Sequence, residues 1–113
     1  MKILILEDSP ERIKIFKQKL KNNDLYFFDN VEDAKNAVEL LGHFDYFFID
    51  HDLGDKIFVD SDEPNTGYQF AKYLAENKIQ GNFITHTLNN AGALNIINVL
   101  PECIYIPFTE LFK

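Results

Sequence analysis

Five short apolar runs, each closed by polar residues and separated from the next by a stretch of helical period, constrain this chain more than any other feature. The first, Lys2-Ile3-Leu4-Ile5-Leu6, is the kind of continuous apolar run found in a strand buried on both faces of a parallel sheet. Leu25 to Phe28, Tyr46 to Ile49, Asn82 to Thr85 and Ile104 to Ile106 repeat the signal. Between them, Ser9-Pro10-Glu11 supplies a helix N-cap, a proline at the first helical position and an early acid, with Ile13, Phe16 and Leu20 at helical spacing. Asn30 can cap a second helix carrying Ala34, Ala37, Val38 and Leu41, and Gly42 ends it. A third helix is predicted to open at Asn65-Thr66-Gly67 with Phe70, Ala71 and Leu74 inward, and a fourth after Asn89-Asn90 using Leu94, Ile97 and Leu100. The order βαβαβαβαβ dictates a parallel sheet with right-handed crossovers, an α/β fold with a five-stranded, doubly wound sheet.

At 113 residues and 46% apolar content, the chain suits one core and one domain spanning residues 1–113. No internal repeat or linker interrupts it. After Pro107 only Phe-Thr-Glu-Leu-Phe-Lys remains, so the fifth helix is expected to be missing or truncated. A sheet face left open in this way predicts a homodimer through Phe108, Leu111 and Phe112, unless those residues fold back over their own sheet. Cys103 lies in an apolar run and reads as a small buried residue. No run approaches the roughly 18 apolar residues of a membrane span, and the start turns acidic too soon for a signal peptide, so a cytoplasmic protein without membrane contact is expected. The net charge of −7, from 18 acids against 11 Lys and Arg, opposes an extended duplex nucleic acid interface. It leaves room for a small anionic ligand, or one end of a nucleic acid, where a bound cation offsets the acids.

Ligands of open α/β sheets bind beyond the carboxyl ends of the strands, where strand order reverses. The first and third strands flank that point here. Glu7 and Asp8 end the first and Asp50 ends the third, so a carboxylate cluster should form there and attract a hard divalent cation, Mg²⁺ or alternatively Mn²⁺. Asp52 can join through its side chain or its carbonyl, or orient a histidine. His51 follows Asp50, and His86 ends the fourth strand, so both are candidates for general acid and base; His43 reads as a cap or surface residue. Arg12, in the first turn of its helix, can either hold a phosphate or pair with a neighbouring acid. Asn65 and Thr66 open a helix whose free amides suit an anion. The segment from His51 to Pro64, with Asp52, Asp55, Asp60, Asp62 and Glu63, is long for a strand-to-helix connection, and is either a lid or a surface loop.

The segments ILILEDS, DYFFID, FITHT and YIPF resemble the receiver domains of two-component response regulators, a flavodoxin-like fold, over nearly the whole chain. That resemblance implies Mg²⁺ held by Glu7, Asp8 and Asp50, phosphoryl transfer to Asp50, and a switch hydroxyl at Thr85 or Thr87. One element departs from the pattern: the family's Lys-Pro-Phe after the fifth strand is here Ile106-Pro107-Phe108, so the lysine that pairs with the phosphoryl group is absent. DHDLG, NTGYQFAKYL and THTLNNAG are similar instead to the cyclic-phosphate processing receivers. This similarity implies a phosphoesterase acting on a cyclic nucleotide or an RNA 2′,3′-cyclic end, with His51, His86 and Asp52 catalytic and Arg12, Asn65, Thr66, Thr87 and Asn89 around the ligand. Two other functions fit the same residues: a signalling receiver phosphorylated on Asp50, and a module that binds a cyclic nucleotide without cleaving it.

Overall fold

The computed structural model describes residues 1–54 and 56–113; Asp55 lies outside the described residues. In chain order the elements are β1 (Lys2–Leu6), α1 (Pro10–Lys19), β2 (Asp24–Phe28), α2 (Val31–Leu41), β3 (Tyr46–Ile49), α3 (Gly67–Glu76), β4 (Asn82–Thr85), α4 (Asn90–Val99), β5 (Ile104–Tyr105) and α5 (Phe108–Leu111). All strand pairs are parallel, and the sheet order is β2-β1-β3-β4-β5. Strand order therefore reverses between β1 and β3, where the register sets Leu6 beside Ile49 and carries Glu7 and Asp50 out of the sheet side by side.

Alternation along the strands divides the core in two. Leu4, Leu6, Phe47, Ile49 and Phe83 face α2, α3 and α4 and pack on Val38, Phe70, Leu74 and Ile96. Ile3, Ile5 and Phe48 face the other way, onto Phe16 of α1 and onto Phe108, Leu111 and Phe112. Of the two expectations for the fifth helix, missing or truncated, the structure shows the truncated one, the four residues of α5. Phe112 packs edge-on against Phe16 with ring centroids 5.5 Å apart, so the C-terminal aromatics cover their own sheet. The uncovered face that motivated a homodimer is occupied from within the chain.

The expected caps form. Ser9, Asn30, Thr66 and Asn89 each accept a backbone N–H near the start of α1, α2, α3 and α4. Of the residues expected inward on α4, Leu100 is buried and Ile97 packs on the core, joined by Ala93 and Ile96, whereas Leu94 is 62% exposed. The reason lies in Gly92, where an added Cβ would come within 2.5 Å of the His51 ring. The helix seats its smallest residue on that ring, and the rotation carries Leu94 outward. Cys103 is buried, as expected, and burial pushes its thiol up to about 12. Among the described residues no helix is long and apolar enough to cross a membrane.

Candidate functional site

Beyond the carboxyl ends of β1, β3 and β4 lies a cleft of about 380 Å³ lined by Glu7, Asp8, Arg12, Asp50, Asp52, Thr87 and Asn89, with Lys56, Ile57, Phe58 and Leu88 also lining it. Glu7, Asp50 and His86 each bring one candidate ligand atom within 4.8 Å of the others. Asp8 lines the same cleft, but His86 takes the third place in that group, where the sequence pointed to Asp8.

Burial shapes the chemistry of these groups. Asp50 is buried beside Glu7, and desolvation, followed by repulsion from Glu7, pushes its carboxyl up to about 8 even though Arg12 and the His51 amide favour its charged form. Burial also pushes Glu7 upward. The His86 hydrogen bond and charge, the Ser9 amide and Arg12 outweigh that, and Glu7 stays below the ordinary carboxylate value. His86 Nε2 lies 2.8 Å from Glu7 Oε1; a carboxylate only accepts, so Nε2 carries the proton. Burial between Phe16 and Phe108 holds the imidazole below its usual value, and its Nδ1 is a buried nitrogen with no hydrogen-bond partner among the described residues. Arg12 Nη1 stands 3.6 Å from Glu7 Oε1 and 3.7 Å from Asp50 Oδ2. The first helix thus places a cation beside both carboxylates.

His51 belongs to a second constellation. Its Nδ1 donates to Asp52 Oδ1 at 2.7 Å, and its Nε2 shares a hydrogen bond with Ser61 Oγ at 2.8 Å. Asn95 Nδ2 donates to Ser61 Oγ at 2.8 Å, and Asn89 Nδ2 to Asp52 Oδ1 at 3.1 Å. Asp52 also accepts the backbone N–H groups of Phe58 and Val59 at 2.7 and 3.1 Å. Burial raises the Asp52 carboxyl, but these donors, His51 and Asn89 first, hold it below its usual value. Both histidines are fully buried and neither lines the cleft; each meets it through a carboxylate, His86 through Glu7 and His51 through Asp52.

The remaining predicted residues separate clearly. Of the two threonines, Thr85 donates its hydroxyl to the Ile49 carbonyl at 2.7 Å, whereas Thr87 lines the cleft and accepts from the Asn89 amide. Asn65 and Thr66 lie outside the cleft: Asn65 Oδ1 accepts the Val31 N–H at the start of α2, and buried Thr66 caps α3 and donates to the Ser61 and Glu63 carbonyls. Their anion-binding role gives way to a structural one. Gly67 is required here, because a Cβ would sit 1.9 Å from the Asp50 carbonyl oxygen. The Asp52–Thr66 bridge and the Gln69 Nε2 bond to the Ser61 carbonyl close the connection into a tied-down loop. The sequence reading passed over Ser61, Lys56, Ile57, Phe58 and Leu88; its one available signal was the apolar run Ile57-Phe58-Val59 inside an acid-rich loop.

The sequence profile of the cyclic-phosphate processing receiver domain matches residues 3–102. The chain belongs to that family. Its fold is that of CheY-like receivers in solved structures. A response regulator receiver domain from Methylobacillus flagellatus superposes with a TM-score of 0.71 at 20% identity, covering 95% of this chain and 85% of that one. The response regulatory domain of mrkE from Klebsiella pneumoniae gives 0.71 at 16% identity, with 95% and 82% covered. A signal receiver domain from Vibrio parahaemolyticus gives 0.70 at 22% identity, with 94% and 78% covered. No curated protein matches the sequence.

Proposed function

We propose that this receiver domain is a metal-assisted phosphoesterase that opens a cyclic phosphate, on a cyclic nucleotide or an RNA 2′,3′-cyclic end. The observation that carries the reading is the convergence of Glu7, Asp50 and His86 within 4.8 Å beside Arg12. Burial first, and repulsion from Glu7 second, push Asp50 up to about 8 at this strand switch point, and a hard divalent cation relieves both by supplying a counter-charge. Glu7 and Asp50 would hold Mg²⁺ or Mn²⁺ with Asp8 at the mouth, and the ion would polarise a phosphoryl oxygen.

The chain's own groups do the rest. Arg12 holds a second phosphoryl oxygen as an always-charged donor. His86 fixes the orientation of Glu7, and His51 that of Asp52, so both histidines are positioning residues. Asp52, which lines the cleft and is kept ionised by His51 and Asn89, takes the proton of the attacking water, and solvent returns a proton to the departing ester oxygen. Thr87 and Asn89 line the same cleft.

One observation favours a second reading, a receiver phosphorylated on Asp50: Arg12 lies close enough to that aspartate to replace the missing lysine. Purified protein should be screened with Mg²⁺ and Mn²⁺ against cyclic mono-, di- and trinucleotides and RNA bearing a 2′,3′-cyclic phosphate, with acetyl phosphate in parallel. Cation-dependent ester turnover is the expected result. A stable acyl phosphate on Asp50 without turnover would establish the second reading, and tight binding of unchanged nucleotide would identify a non-cleaving module.

A further inference from the structure

Phe58 is 75% exposed and its neighbour Ile57 80%, an unusual degree of exposure for two large apolar side chains in a loop rich in acids. Phe58 also has φ of +52°, a left-handed conformation that bulky residues rarely adopt. Its N–H donates to Asp52 Oδ2 at 2.7 Å, so the carboxylate that fixes His51 also holds this ring at the edge of the loop. Strained backbone of this kind persists where surrounding structure enforces it, and it clusters at ligand clamps. Ile57, Phe58 and half-exposed Leu88 all line the cleft that contains Asp50 and Arg12, which makes that cleft amphipathic: charged at the floor, apolar at the rim.

A nucleotide has the same polarity, with a phosphate at one end and a flat apolar base at the other. Building on the cyclic-phosphate reading, we infer that Phe58, flanked by Ile57 and Leu88, is the platform on which the nucleobase of one nucleoside cyclic phosphate stacks, its phosphate lying toward Arg12. The cleft volume of about 380 Å³ falls at the lower end of the roughly 300–1,000 Å³ of small-ligand sites and suits a single nucleotide unit. Cyclic di- and trinucleotides would leave further bases without a platform. The shared ligand chemistry is therefore one nucleoside 2′,3′-cyclic phosphate, either free or at the end of an RNA strand.

The test is equilibrium binding of three probes with Mg²⁺ present: 2′,3′-cyclic AMP, a short RNA ending in a 2′,3′-cyclic phosphate, and base-free glycerol 1,2-cyclic phosphate. Phe58→Ala should weaken both nucleotide probes by about 5- to 100-fold, the loss typical of removing one stacking platform. Phe58→Tyr should retain wild-type affinity, and glycerol cyclic phosphate should bind all three proteins equally. Tighter binding of the RNA than of 2′,3′-cyclic AMP, with both sensitive to Phe58, assigns the physiological source to RNA ends; equal affinities assign it to the free nucleotide. Phe58→Gly adopts φ of +52° without strain and controls for loop distortion; it should lose as much affinity as Phe58→Ala. Unchanged nucleotide affinity in Phe58→Ala and Phe58→Gly, or an equal loss for the base-free probe, overturns the platform. If no cyclic phosphate binds even wild type, the cyclic-phosphate reading fails separately. The platform then stands only if adenosine 3′-monophosphate binds in a Phe58-dependent way, and it falls if that binding is absent or indifferent to Phe58.

Discussion

Replacing Asp50 with asparagine keeps the shape of the side chain and its acceptor for the His51 N–H, but removes the carboxyl that burial and Glu7 push up to about 8. The folded protein holds this proton more tightly than the unfolded chain, whose aspartate titrates near its ordinary value of 3.8. The stabilisation from a protonated Asp50 is therefore complete below about pH 3.8 and is lost as pH rises through about 8. At about 1.36 kcal/mol per unit, a rise of this size is worth on the order of 5 kcal/mol, as an upper bound. Glu7 and Asp52 have the opposite sign: both are held below their ordinary values, so their contribution is lost at the acid end, and only the difference between variant and wild type isolates Asp50. Urea unfolding in EDTA at pH 5, 7 and 9 should show wild type losing several kcal/mol more than Asp50→Asn across that range. Millimolar Mg²⁺ should restore the wild type at pH 9 and leave Asp50→Asn unchanged, because an ion that binds only the folded, ionised site stabilises by mass action. Parallel pH slopes in the two proteins would refute the argument that burial and Glu7 outweigh Arg12 and raise the Asp50 carboxyl.

Other perturbations reach separate parts of the account. His86→Ala frees Glu7 from its buried partner and should lower ester turnover and Mg²⁺ affinity, the latter measured by calorimetry, by about 10- to 100-fold, the loss typical of removing a residue that orients a metal ligand; turnover and Mg²⁺ affinity equal to those of the surface control His43→Ala would remove the role. Gly67→Ala forces a Cβ to 1.9 Å from the Asp50 carbonyl and should destabilise by about 3 kcal/mol or more, read as a thermal shift in circular dichroism. Phe112→Ala should cost about 1–3 kcal/mol through its lost packing on Phe16, again by urea unfolding, and a neutral result would mean that the C-terminal turn does not close the sheet face.

The strands and helix starts were legible because they follow local rules: a continuous apolar run for a buried strand, a side chain accepting a backbone N–H for a cap. Tyr46 to Ile49 and Asn82 to Thr85 form the elements expected, and Ser9, Asn30, Thr66 and Asn89 cap the helices. The meeting of Glu7 with Asp50 also follows from topology, since parallel strands of adjacent order end together. What local pattern does not encode is the direction of a side chain in a turn. His51 directly follows Asp50, yet its ring turns away from the cleft onto Gly92, where an added Cβ would lie 2.5 Å from it. Asn65 serves as acceptor for Val31, thirty-four residues away, a pairing that only the packed loop creates. Arg12 was ambiguous for the same reason: helical spacing puts it near the cleft, but its position beside both Glu7 and Asp50 depends on how α1 packs through Phe16.

The most direct test of the central claim is phosphorus NMR of 2′,3′-cyclic AMP incubated with the protein and Mg²⁺. The account predicts that the cyclic ester signal is replaced by that of a phosphomonoester with wild type and persists with Asp50→Asn. A cyclic ester that survives wild-type protein, Mg²⁺ and Mn²⁺ alike, while Asp50 accumulates a phosphoryl group from acetyl phosphate, would contradict it.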